Sequence, residues 1–83
     1  MTMPKLVDVY LVQPYKRLSY GDFEPWVSVE CSTLDSAVRS AEILCRDHNG
    51  AVVFSAKADL VSGRYGSCKV LRKFGEVPED PML

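Results

Sequence analysis

From Lys5 to Gln13 the side chains alternate. Val7, Val9 and Leu11 fall on one side, and Asp8, Tyr10 and Val12 on the other. A period of two predicts a strand. Pro14 offers no N–H for pairing, so it predicts that strand's end. Residues 15–25 hold Gly21, Pro25 and three aromatics, and read as a loop that folds back over a sheet edge. Trp26 to Cys31 alternates again and predicts a second strand with Val27, Val29 and Cys31 on one side. The spacing then changes. Leu34, Ala37, Val38, Ala41, Leu44, Cys45 and His48 fall on one stripe at helical period, opposite Ser36, Arg39, Ile43, Arg46 and Asp47.

The helix has its own boundary signals. Ser32 or Thr33 can cap its start, and Asp35 suits the positive first turn. Asn49-Gly50 predicts the stop, since both tolerate the left-handed conformation. Ala51 to Lys57 predicts a third strand and Cys68 to Phe74 a fourth, in which Arg72 interrupts the Cys68, Val70, Phe74 face. Gly63-Arg64-Tyr65-Gly66 lies between them as a turn. The G-x-x-G spacing of a nucleic-acid clamp would need a helix on each side. The expected fold is α+β: ββαββ, a four-stranded, largely antiparallel sheet with one helix packed on one face. The chain 1–83 forms one domain, with an irregular tail over 76–83. Under that scheme the helix covers Val7, Val9, Leu11, Val27, Val29, Val52, Phe54 and Val70. The open face shows Tyr10, Val12, Trp26, Val53 and Leu71 among Ser28, Glu30, Ser55 and three lysines: Lys57, Lys69 and Lys73.

Composition narrows the function classes. The net charge of -1 lacks the basic excess of a dedicated phosphate binder. No basic region followed by an apolar run opens the chain, and no stretch is apolar enough to span a membrane. Cys31, Cys45 and Cys68 are odd in number and widely spaced. They are expected to be reduced and largely buried, in a cytoplasmic protein. None forms a zinc-type pair. His48 lies three residues after Cys45, but both sit on the core stripe, so a small core thiol and a histidine at the helix's negative end are expected rather than a catalytic dyad. No catalytic, cofactor-binding or metal-binding residues are assigned.

Several segments together carry a resemblance. Val9-Tyr10-Leu11-Val12-Gln13, the alanine-rich helix, Gly50 to Ser55, Gly63-Arg64-Tyr65 and Phe74-Gly75-Glu76-Val77-Pro78 resemble a group of small uncharacterised bacterial proteins with no assigned activity. The opening strand running into Val12-Gln13 is also similar to the sporulation-related repeat domain that binds peptidoglycan, without that domain's second helix. Neither resemblance transfers a functional residue.

The leading expectation is a small non-enzymatic binding or interaction module, in one form a homodimer, with an unknown protein partner and no membrane. Its candidate partner-binding residues are Tyr10, Val12, Tyr15, Tyr20, Trp26 and Leu71. The alternative is a nucleic-acid-binding accessory protein that uses the open sheet face, and a small enzyme comes third.

Overall fold

Alternation at both ends of the chain becomes one antiparallel sheet, described over residues 5–81 in a computed structural model. The strands are β1 (Leu6–Arg17), β2 (Phe23–Pro25), β3 (Val29–Cys31), β4 (Gly50–Asp59) and β5 (Tyr65–Gly75), with α1 (Leu34–Asp47) between β3 and β4. The α+β class holds, but there are five strands rather than four, in the order βββαββ. The sheet runs β2-β1-β4-β5, and β3 pairs with the same edge of β1 as β2 does. β2 faces Tyr15 to Arg17, while β3 faces Tyr10 to Val12. The two short strands therefore form one broken edge, with residues 26–28 standing out between them.

Pro14 does not end β1, which continues to Arg17 and pairs Pro14 with Ala51. Within a strand, a residue's N and C=O point to the same neighbour. The Pro14 carbonyl accepts from Trp26 N at 2.9 Å, so the proline nitrogen faces the break between β2 and β3. A missing N–H is harmless there.

The largest correction concerns which face α1 covers. Ala37 and Ala41 are fully buried against Val12, Cys31, Ala51 and Val53, with Tyr10, Leu34, Leu44, Leu71 and Phe74 around them. Val9, Leu11, Tyr15, Val52, Phe54 and Ala56 form a second core on the opposite face, joined by Phe23 and Val77. The face expected to be open is the helix side. β1 and β4 are apolar on both parities, as strands buried on both sides must be, and alternation alone cannot choose between their faces. The second core is covered without a helix. The β1–β2 hairpin brings Phe23 against Tyr15, and the tail after Gly75 brings in Val77. At the far corner Tyr65 reaches across to hydrogen-bond Glu30.

Leu44 is half-buried rather than central, because the closest approach of helix to sheet is made at the two alanines. Thr33 is the N-cap, its hydroxyl accepting from Ser36 N at 3.2 Å. His48, in extended conformation, ends the helix. Among the described residues only Gly21, Gly63 and Gly75 have positive φ, so Asn49-Gly50 does not act through the left-handed conformation. Gly50 is needed for a different reason. A Cβ there would lie 2.1 Å from the Glu76 carbonyl oxygen, where the tail crosses the start of β4. The phase break at Arg72 is a bulge: Val70 pairs with Phe54 but Arg72 pairs with Val53, leaving Leu71 as an extra residue. Cys68 and Val70 thus lie on one face and Phe74 on the other.

Candidate protein-interaction surface

The break in the edge strand presents Trp26, and three contacts hold it there. Its N–H donates to the Pro14 carbonyl, and its own carbonyl accepts from Gln13 Nε2. Gln13 is buried, and the same amide also donates to the Pro14 carbonyl at 3.0 Å. The Trp26 ring meets the His48 ring edge-on, with centroids 5.0 Å apart. The His48 Nδ1–H donates to the Leu44 carbonyl at 3.0 Å, which ties that imidazole to the end of α1. Burying a glutamine is favourable only when its polar atoms are satisfied. Here both donors are spent on the backbone that carries Trp26.

Although held in this way, Trp26 remains 46% exposed, beside Val27 at 85% and Val29 at 39%. Ile43, 56% exposed, lies one turn along α1 from Ser40, which contacts Cys31 of β3. These residues put an apolar surface on the β3 flank of the molecule, and tryptophan is the residue type most enriched among binding hot spots.

The six residues singled out from sequence are scattered. Val12 and Tyr15 are buried in the two different cores, and burial raises the Tyr15 phenol above its ordinary pKa. Tyr10 and Leu71 pack beneath α1. Tyr20 is exposed at the tip of the β1–β2 hairpin, away from the cores. Trp26 alone combines exposure with a rigid setting. Alternation alone does not mark Gln13 and Ile43 as site residues, and it places Val27 and Val29 on the core side, where the structure leaves both exposed. A glutamine beside a proline in an otherwise apolar strand was the legible signal.

The other candidate chemistry resolves into structure. Cys45 Sγ contacts the Asn49 carbonyl at 3.9 Å while His48 bonds Leu44, so the two do not form a dyad. Gly63 and Arg64 lie in the β4–β5 connection and Tyr65-Gly66 opens β5, so the segment is flanked by strands as the turn reading requires. Asp59 organises that turn. Its carboxylate accepts from Val61 N, Lys5 N and the Ser62 hydroxyl, and these bonds, Val61 first, hold its pKa below the ordinary value. Of the cysteines, Cys31 is buried, Cys45 half-buried and Cys68 exposed, so the expectation of three buried thiols fails for the latter two. Cys68 sits on an edge strand, where one flank has no neighbour. A cleft of about 510 Å³ lies over Leu11 between Ser28, Glu30, Tyr65, Gly66 and Cys68. Tyr65 bridges it by donating to Glu30, which raises the Tyr65 phenol above its ordinary pKa. No group of three metal-ligating side chains comes together among the described residues, and no helix there is long and apolar enough to cross a membrane.

Charge is segregated. Residues 57–73 carry five basic side chains and one acid, whereas the rest of the chain carries five basic and ten acidic ones. Most of that basic charge follows β5, the outer strand. Its extra residues opposite Val53/Phe54 and Ala56/Ala58, with Lys69, Arg72 and Lys73, are devices that keep an edge from pairing. Comparison with family models, with curated proteins and with solved structures finds no match.

Proposed function

We propose that this chain is a small non-enzymatic binding module whose protein-binding surface is centred on Trp26. The supporting observation is the buried Gln13, whose amide donors fix the backbone of a half-exposed tryptophan in the strand break. A rigid aromatic anchor loses little conformational entropy on binding, and its apolar neighbours exclude water around it. The test is retention of host proteins on the immobilised full chain, beside Val27→Asp and a nuclease-treated arm. A protein retained by the wild type, insensitive to nuclease and to added salt, and lost with Val27→Asp is the expected result. Equal retention by both forms counts against the surface.

The basic strip on residues 57–73 favours nucleic acid as a second reading, now displaced from the sheet face to the β4–β5 edge. Lys57 is engaged by Asp8, which leaves Arg64, Lys69, Arg72 and Lys73 as its main charges. Oligonucleotide binding through this strip would weaken with Lys69→Ala and Arg72→Ala and fall steeply with salt. Salt-independent binding, or none, removes it.

A further inference from the structure

We infer that the cleft over Leu11 binds a primary aliphatic amine, with the Glu30 carboxylate as its counter-ion. The site is separate from the Trp26 surface and goes beyond the binding-module reading. It begins with the curl of the sheet. β3 and β5 lie at opposite margins, with β1 and β4 between them. The Tyr65 hydroxyl nevertheless donates to Glu30 Oε2. The sheet therefore bends around the face of Val9, Leu11 and Phe54, and its margins close a cleft of about 510 Å³. That is the size of a small-molecule site, and barrel-like sheets commonly hold one at their mouth.

The lining selects the ligand. Glu30 is the one charged residue in it, so an anion is opposed. Among the described residues no basic side chain pairs with Glu30; Lys57 is engaged by Asp8, and Lys69 and Arg72 lie outside the cleft. Tyr65 occupies Oε2, which leaves Oε1 for a donor. A guanidinium fork needs both carboxylate oxygens, whereas an ammonium is a point charge that needs one. The Tyr65 ring also attracts a cation, and Leu11 gives an alkyl stem an apolar floor. A metal ion is not served. Glu30 and Cys68 are two ligating side chains, and no group of three comes together among the described residues.

Cys68 lines the cleft and is exposed, so its rate of modification by a thiol reagent reports occupancy. The full chain is titrated by calorimetry with pentylamine, with pentan-1-ol, and with the acetylated methylamides of lysine and arginine. Cys68 modification is followed in parallel. The variant is Glu30→Gln, which falls on an exposed position and keeps an acceptor for Tyr65. The expected result is saturable binding of pentylamine and the lysine derivative, with Cys68 modified several-fold more slowly in the bound form. Glu30→Gln should weaken that binding about fivefold. The tighter of the two amines distinguishes a free amine from a lysine side chain as the source. Absence of binding overturns the inference. So does binding that leaves Cys68 unprotected, that pentan-1-ol matches, or that Glu30→Gln retains in full. An arginine derivative that binds more tightly than the lysine one overturns the choice of an amine. The Trp26 reading is tested by retention with Val27→Asp and stands or falls separately.

Discussion

At the scale of single residues, Gln13 and Gly50 carry more than their positions in the sequence suggest. Gln13 donates from inside the core to two backbone carbonyls through its amide nitrogen. In Gln13→Glu a carboxylate would face those same oxygens. The variant is expected to lose about 2–3 kcal/mol at neutral pH. Its new carboxyl is favoured in the protonated form, so its folded pKa lies above its unfolded one. Stability is then greatest below the unfolded pKa and falls as pH rises through the folded one. Urea denaturation at acid and neutral pH checks this; a pH-independent loss would mean the amide contacts are incidental. For Gly50→Ala, the added methyl meets the Glu76 carbonyl and must displace the tail. A cost of about 2–3 kcal/mol is expected, with Val77 leaving its cluster. A cost near zero would show that the tail is only loosely docked.

Among the elements, α1 and the β4–β5 turn make opposite demands. The helix approaches the sheet through Ala37 and Ala41, which leave no room. Ala41→Leu is therefore expected to destabilise by about 1–3 kcal/mol through overpacking. Leu44→Ala should cost about 1–2 kcal/mol, less than a fully buried leucine, because Leu44 is half-exposed already. Thermal melts of the two variants rank them, and the reverse order would reassign the contact. The turn depends on charge instead. The folded pKa of Asp59 is depressed, so its contribution is present above the unfolded value of about 4 and is lost as pH falls through the folded value. The melting temperature of wild type should exceed that of Asp59→Asn near neutral pH, with the gap closing in acid. A constant gap would mean that shape, not charge, holds the turn.

For the whole molecule, the three thiols sample three depths of one fold. Cys68 on the outer strand should react with a thiol reagent at once, Cys45 more slowly, and Cys31 only when the structure opens. Three equally slow thiols would mean that the β5 edge is covered in solution. The elongated outline has the same origin as this gradient. The helix protects one face of part of the sheet, while the hairpin, the tail and the Tyr65 corner close the other. What they leave uncovered includes the β5 edge, which is charged and bulged, and the Trp26 flank, which is apolar; Leu6, Leu60 and Val61 are exposed as well. Association is expected at the Trp26 flank and solvation at the β5 edge.

By itself the sequence determined the α+β class, the helix with a cap at Ser32 or Thr33 and an exposed Ile43, and the approximate course of the strands. Each of these rests on periodicity or local chemistry within a few residues. The tertiary structure decided which sheet face the helix takes, since Val9 with Leu11 and Tyr10 with Val12 are equally apolar and only packing distinguishes them. It decided that β1 passes through Pro14, because a missing N–H matters only where a partner carbonyl waits. It turned a loop into β2, a strand into β3 with an open break, and a phase error at Arg72 into a bulge. Trp26 shows the same division. Its presence was legible, but its exposure depends on Pro14, Gln13 and His48, which lie 12, 13 and 22 residues away along the chain and meet it only in the folded state.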